Sequence, residues 1–247
     1  MNIDELKKIY IYVLDQVNQN KITGKVPIKH KNLIKNIRSQ KLTYLSTSKL
    51  AKLALTIQQL ETKNIEGEFI ECGCALGGST ILISKVKLKN RPLNVYDLFG
   101  MIPAPTDQDT GDVHKRYQKI ISGKSKGIKG NEYYGYIYNL KEKVEHNLNK
   151  FDIDLESNNI KLIEGLIQET LNPKNKIALA HIDVDWYEPV KVSLDRIFPH
   201  LSRGGTIILD DYFDWGGCKK AVDLFLSKTQ HQVSINKDYR SLSITKL

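Results

Sequence analysis

Beyond Gly67, short apolar runs alternate with segments of helical periodicity, and this alternation constrains the fold more than any other feature of the chain. Five runs have the length of a strand, and each runs into a polar residue or a glycine: Glu68–Glu71, Leu93–Tyr96, Ile160–Ile163, Ile177–Ile182 and Thr206–Leu209. Strands that alternate with helices predict a parallel sheet covered by helices on both faces. Near the C-terminus, Gln232–Asn236 and Ser241–Thr245 alternate residue by residue, which predicts an antiparallel hairpin at one edge of the sheet.

The N-terminal third has a different pattern. Residues 4–18 show helical spacing, and residues 20–41 are basic and weakly patterned. Ser46 or Thr47 is a candidate N-cap for a helix with an apolar face from Leu50 to Leu60. Because 247 residues are too few for two full α/β domains, we expect a helical cap over 1–66 and a single α/β domain over 67–247.

Composition excludes several classes of protein. No run of 18 apolar residues exists, so we expect no membrane span. The first residues are charged and contain no signal-peptide core, which predicts a cytoplasmic protein. Three cysteines cannot form a closed disulfide framework and lack zinc-ligand spacing, so we expect buried thiols.

The net charge of +9 raises the alternative of a nucleic-acid-binding protein or an RNA methyltransferase. Only 6 of the 37 basic residues are Arg, however, and solvated lysines explain such a surplus more simply. An acidic cluster described below would also repel a phosphate backbone. We therefore expect no nucleic-acid partner.

The first motif runs from Glu71 through Gly73, Gly77 and Gly78 to Ser79, after a strand and at the start of a helix. Glycines at such a turn let a ligand approach the backbone, although they also occur in turns that bind nothing. Asp97 ends the next strand, where a carboxylate can accept hydrogen bonds from ribose hydroxyls. The spacing differs from that of dinucleotide sites, so the motif favours an adenosine-type ligand without a pyrophosphate grip.

The second motif is a set of carboxylates at two strand ends, formed by Asp183 and Asp185 after one strand and Asp210-Asp211 after the next. Clustered acids repel one another unless a cation joins them, and oxygen ligands suit Mg²⁺. Asp185 could instead cap the following helix. His181 could act as a base near the acids, or could be a hydrogen-bonded structural histidine.

Together these motifs resemble class I S-adenosylmethionine-dependent methyltransferases, and among them the macrocin/mycinamicin sugar O-methyltransferase family. The resemblance spans about Thr43 to Phe225 and also rests on Tyr96–Pro103, Gly111–His114, Glu164-Gly165 with Glu169–Leu171, and Gly204-Gly205. It implies a doubly wound, Rossmann-like, mostly parallel seven-stranded sheet with a lid inserted at about 100–150. It implies S-adenosylmethionine at Glu71, Gly73, Gly77, Gly78, Ser79, Asp97 and Gly165, and Mg²⁺ at Asp183, Asp210 and Asp211, with Asp183 as the base.

The implied reaction is Mg²⁺-dependent methylation of a sugar hydroxyl, on a free or nucleotide-linked sugar, a surface glycan or a glycosylated metabolite. An aromatic or other secondary-metabolite acceptor is the alternative. Related catechol enzymes have a lysine three residues after the first metal acid, where this chain has Trp186, and this disfavours a catechol. The sequence leaves open which acceptor is methylated and whether the protein forms a homo-oligomer.

Overall fold

The structure, a computed structural model, describes residues 20–247. The helix predicted over residues 4–18 lies outside that range. After a helical segment at residues 20–25, the helices are α1 Ile28–Ser39, α2 Thr47–Thr62, α3 Gly78–Val86, α4 Gly111–Ile121, α5 Leu140–Asn149, α6 Ile167–Thr170, α7 Tyr187–Ile197 and α8 Gly216–Thr229. The strands are β1 Glu68–Cys72, β2 Leu93–Asp97, β3 Ile160–Glu164, β4 Ile177–Ile182, β5 Leu201–Leu209, β6 Val233–Asp238 and β7 Ser241–Lys246.

The seven strands form one sheet in the order β3-β2-β1-β4-β5-β7-β6. Strands β1 to β5 are parallel, whereas β7 pairs antiparallel with both β5 and β6. The predicted fold class and the C-terminal hairpin are therefore confirmed. The strand order reverses between β1 and β4, and in open α/β sheets the ligand crevice lies beside such a switch point, at the carboxyl ends of the strands.

Two apolar clusters cover the two faces of the sheet. One joins α1, α2, α3 and α5 to the sheet, and the other joins α7 and α8 to it. Many of these side chains are fully buried, and each contributes about 1.5–3 kcal/mol of burial free energy. The sheet is thus a rigid base for the loops at its carboxyl edge.

The N-terminal helices are part of this core. Ser46 caps α2 as predicted, and its side chain accepts a hydrogen bond from the backbone N–H of Lys49. Leu50, Leu53 and Ile57 of α2 pack in the same cluster as the sheet. Helix α1, which the weak patterning of residues 20–41 did not predict, buries Ile34 and Ile37 beside them. Residues 28–62 therefore form a covering layer of the α/β domain.

The segment between β2 and β3 contains both lid and core. Helix α5 packs Leu140, Val144 and Leu148 into the core, so the inserted part that faces the crevice ends before Leu140. That this segment acts as the predicted lid of about 100–150 stays a prediction, and we refer to residues 100–139 as the lid segment, or lid.

Two composition-based expectations can be compared with the structure. All three cysteines are free and buried, as predicted. Among residues 20–247, every helix is too short or too polar to cross a bilayer.

Candidate active site

Three glycines shape the loop that joins β1 to α3. Gly73 has φ 83°, and a Cβ there would lie 2.0 Å from the carbonyl oxygen of Asp183. Gly77 caps α3 in a left-handed conformation, and Gly78 donates its N–H to the carbonyl of Leu42 at 3.0 Å. Gly73 thus holds the loop against the end of β4, whereas Gly77 and Gly78 position α3.

Asp97 fixes the conformation of this loop. One carboxylate oxygen accepts backbone hydrogen bonds from Cys74 at 2.7 Å and Ala75 at 3.3 Å, and the other accepts one from Phe99 at 2.7 Å. Burial raises the pKa of Asp97, and the backbone hydrogen bonds partly oppose that shift. The ribose-binding candidate is therefore also the residue that orders the loop.

A cavity lies at the carboxyl ends of the strands, where Gly73, Asp97 and Gly165 line it. Gly165 has φ 138° and makes the turn between β3 and α6. Four other residues that were predicted to bind the cofactor do not line this cavity: Glu71, Gly77, Gly78 and Ser79. These four support the loop from behind: Glu71 is fully buried and Ser79 is 3% exposed.

A second cavity of about 240 Å³ adjoins the first. The two share a wall formed by Gly73, Asp97, Tyr134, Asp183, Asp185 and Trp186. The rest of the second cavity combines three aromatic side chains, Tyr44, Tyr133 and Trp215, with five charged ones, Lys49, Arg116, Asp210, Asp211 and Asp214. Two pockets that meet at the carboxylates of Asp97, Asp183 and Asp185 can bring two reactants together at those carboxylates.

The carboxylates form two overlapping groups. Oxygens of Asp183, Asp185 and Asp211 lie within 4.8 Å of one another, and so do those of Asp210, Asp211 and Asp214. Asp185 thus joins Asp183 and Asp211, whereas the predicted partner Asp210 lies in the other group. Asp185 has φ 57°, a left-handed conformation that Asp adopts more readily than most residues.

Within residues 20–247 no cation forms an ion pair with the first group, although the charge of Arg116 is close enough to oppose the effect of burial on the pKa of Asp185. Burial and repulsion from Asp210 raise the pKa of Asp183 to about 7. Burial raises the pKa of Asp185 to about 6 against the charge of Arg116, and burial and the neighbouring acids raise the pKa of Asp211 well above its usual range. Such a set of oxygen ligands fits a hard divalent ion, because the ion would offset this repulsion.

Asp210 has a partner of its own. The Lys49 ammonium of α2 lies 2.8 Å from Asp210 Oδ2 and 2.9 Å from Asp214 Oδ2. Burial alone would lower the pKa of Lys49, but these carboxylates outweigh burial and raise it well above its usual value. This ion pair fixes Asp210 beside the first group, where its charge raises the pKa of Asp183.

Helix α7 is not capped by Asp185, the candidate from sequence. The backbone N–H of Tyr187 instead donates to Asp109 of the lid at 2.7 Å, and Trp186 Nε1 donates to the lid carbonyl of Pro103 at 3.0 Å. These bonds attach the lid to the end of β4 and leave Asp185 available in the crevice.

His181 lies behind the site. Its side chain is 2% exposed, lines neither cavity, and has Nδ1 3.2 Å from Glu71 Oε1. Burial would favour the neutral ring, but the hydrogen bond and charge of Glu71 outweigh it and raise the pKa of His181. Thr80 donates to the other Glu71 oxygen, so the three side chains form a buried network.

We predict that His181→Gln lowers stability but leaves the chemistry in place. Its amide can still bond Glu71, so turnover of the folded enzyme should change by less than about tenfold, whereas loss of a general base costs about 10²–10⁴-fold. Thermal unfolding and the pH profile of methyl transfer test this. A lost acidic limb in that profile would make His181 the base, because activity that needs a deprotonated base falls at low pH.

Sequence reasoning missed Lys49, Arg116 and Asp109, which complete the second cavity and the lid contacts. No motif marks them, because each reaches the site from a distant part of the chain. The N-cap at Ser46 was the one local signal, since it sets the start of the helix that carries Lys49.

Comparison with known proteins gives a consistent result. A model of the macrocin-O-methyltransferase family (TylF) matches residues 2–241. Demethyldecarbamoylnovobiocin O-methyltransferase of Streptomyces niveus is 25% identical over 210 residues, which cover 79% of this chain and 73% of that protein. A tetracenomycin-C rhamnosyl 4'-O-methyltransferase of Streptomyces olivaceus is 25% identical over 177 residues, or 69% of this chain and 62% of that protein.

Solved structures share the fold. The O-methyltransferase NovP superposes with a TM-score of 0.70 at 23% identity, covering 83% of this chain and 82% of NovP. CalS11, a TDP-rhamnose 3'-O-methyltransferase of calicheamicin biosynthesis, superposes with a TM-score of 0.54 at 20% identity, covering 93% of both chains.

Proposed function

The chain belongs to the macrocin-O-methyltransferase (TylF) family and is an S-adenosylmethionine-dependent O-methyltransferase, and we propose that it methylates a hydroxyl group of a sugar with the help of Mg²⁺. The observation that carries the proposal is the wall of carboxylates between two adjoining cavities. Relatives named for a rhamnosyl group and for TDP-rhamnose support a sugar as acceptor.

We assign the first cavity to the methyl donor. Gly73, Asp97 and Gly165 line this cavity, and we assign the Asp97 carboxylate to the ribose hydroxyls of the donor. The predicted residues Glu71, Gly77, Gly78 and Ser79 contribute by shaping the loop. The second cavity then receives the sugar, and its aromatic walls suit the apolar faces of a sugar ring.

We assign the divalent ion to Asp183, Asp185 and Asp211, with Asp210 held beside them by Lys49. Bound Mg²⁺ lowers the pKa of a coordinated hydroxyl and helps to orient it. Asp183 borders both cavities and is the carboxylate we assign to accept the hydroxyl proton. The lid bonds to Trp186 and Tyr187 help to exclude water from the crevice.

Radiolabelled methyl transfer tests this function. The acceptor panel comprises nucleoside diphosphate sugars, neutral glycosides, phenols and an RNA transcript. We expect label only in sugars, loss of turnover in EDTA and recovery on adding Mg²⁺. Label confined to phenols or RNA, or a full rate in EDTA, would contradict the proposal.

A further inference from the structure

Two cations line the acceptor cavity, namely Lys49 and Arg116. Lys49 is already engaged by Asp210 and Asp214. Within residues 20–247, Arg116 of α4 makes no hydrogen bond and no ion pair, so its five N–H donors are unused by these residues. A partly buried guanidinium in a cavity needs hydrogen-bond acceptors, which points to a ligand group.

The position of Arg116 is set by an aromatic platform. Its guanidinium lies 5.3 Å from the ring centroid of Tyr133, a residue that is only 3% exposed. Tyr133 packs against Tyr134 at 4.6 Å and Tyr136 at 5.2 Å between centroids, and the Tyr136 hydroxyl donates to the carbonyl of Ile120 on α4. Because the platform is packed on both sides, Arg116 is held in place before a ligand binds.

The charge of Arg116 opposes the rise that burial causes in the pKa of Asp185, but within residues 20–247 no carboxylate of the cavity forms an ion pair with Arg116. Asp97 accepts backbone hydrogen bonds, and Asp210 and Asp214 pair with Lys49. The other three acids form the group that we assign to the divalent ion. Of the two cations that line the cavity, Arg116 is the one without an ion pair in residues 20–247. Its planar guanidinium matches the paired oxygens of a phosphate group.

We propose that Arg116 binds a phosphate group of the acceptor, so that the sugar is methylated while it is a phosphate ester. This inference rests on the proposed sugar O-methyltransferase function and names its substrate class. A single guanidinium suffices for one phosphate or diphosphate, whereas a nucleic-acid backbone needs a row of cations that an acid-lined cavity does not offer. A nucleoside diphosphate sugar and a sugar 1-phosphate both satisfy this chemistry.

The test compares TDP-rhamnose, rhamnose 1-phosphate and neutral methyl rhamnoside as acceptors. Arg116→Met keeps the stem on Tyr133, Arg116→Lys keeps only the charge, and Lys115→Met removes a charge from the adjacent exposed position. We expect Arg116→Met to raise KM for the phosphate esters by about 10–100-fold, as for a lost hydrogen-bonded charge, and to leave KM for the glycoside unchanged. Arg116→Lys should fall between, and Lys115→Met should match the parent enzyme.

Binding of TDP, measured by calorimetry in Mg²⁺, separates this inference from the proposed function. Loss of TDP affinity in Arg116→Met, with Lys115→Met unchanged, supports the inference even if no sugar is methylated. Absence of sugar methylation would overturn only the proposed function. TDP binding that is absent in the parent, or equal in all variants, would overturn the inference, and so would an equal rise in KM for the neutral glycoside. Titration of Mn²⁺ by electron paramagnetic resonance should show the same metal affinity in Arg116→Met and the parent. If Arg116→Met raises KM for TDP-rhamnose alone, the acceptor is a nucleoside diphosphate sugar. If it raises KM for both esters, the phosphate group is sufficient for recognition.

Discussion

Asp183→Asn should nearly abolish methyl transfer without weakening the binding of S-adenosylmethionine. The substitution keeps the shape of the side chain but removes the carboxylate that borders both cavities. An amide cannot accept the hydroxyl proton and is a weaker ligand for a divalent ion, so we expect turnover to fall by at least about 10³-fold, within the range for loss of a general base. The ribose candidate Asp97 and the backbone around Gly73 stay in place, so donor affinity should stay close to that of the parent.

Stability should not fall in this variant, and that separates it from a folding defect. Burial and Asp210 raise the pKa of Asp183 to about 7, which means that its charge is unfavourable in the folded protein. Removing that charge relieves repulsion, so the melting temperature without metal should be equal or higher. Single-turnover rates, calorimetry with the donor and thermal unfolding make the three measurements.

Asp195→Asn is a matched control, because Asp195 lies on the exposed face of α7 and, within residues 20–247, its ion pair is with Lys191. It should behave as the parent in all three measurements. Turnover within about tenfold of the parent in Asp183→Asn would remove Asp183 from the chemistry, since a general base contributes more than that. Asp185 or Asp211 would then be the next candidates.

The sequence was sufficient to predict the sheet because its short strands have apolar centres and are separated by segments of helical periodicity. Ile177–Ile182 was predicted with its true bounds, since a buried strand has the same apolar pattern in any surroundings. Helix α1 escaped prediction because only His30, Ile34 and Ile37 are buried, which leaves a weak apolar stripe among lysines.

The site was harder to predict where its contacts join residues that lie far apart in the sequence. The two aspartate motifs indicated where the acids meet, because parallel strands end at one edge of the sheet. They did not indicate how the acids divide into two groups, because Asp210 pairs with Lys49, which lies 161 residues away in the sequence. His181 was ambiguous for the same reason: its partner Glu71 lies on the neighbouring strand, in register with it.

Lys49→Met should destabilise the fold more than Lys52→Met, which replaces the other lysine of α2. The Lys49 side chain is 10% exposed and its partner Asp210 is 7% exposed, so the loss of Lys49 leaves a buried carboxylate without its cation. Breaking one side of a buried ion pair costs about 3–5 kcal/mol. Denaturant unfolding of the metal-free protein measures this loss.

Lys52→Met provides the matched control on the same helix. Lys52 pairs with Asp238, but that carboxylate is 39% exposed and can be hydrated when its partner is lost. Partly exposed pairs contribute about 0–1 kcal/mol, so Lys52→Met should cost clearly less, apart from its bonds to backbone carbonyls. Equal losses in the two variants would show that burial of the Lys49 pair contributes nothing specific.

The double variant Lys49→Met with Asp210→Asn tests the role of the pair in the site. Replacing both charged partners removes the unpaired carboxylate, so most of the stability lost in Lys49→Met should return. Mn²⁺ affinity should also stay near that of the parent in the double variant, because Asp183, Asp185 and Asp211 remain. In Lys49→Met alone, Asp210 gains the freedom to approach that group, and the metal affinity should change. Recovery of stability together with loss of Mn²⁺ binding would instead make Asp210 a metal ligand, as the sequence motif alone had indicated.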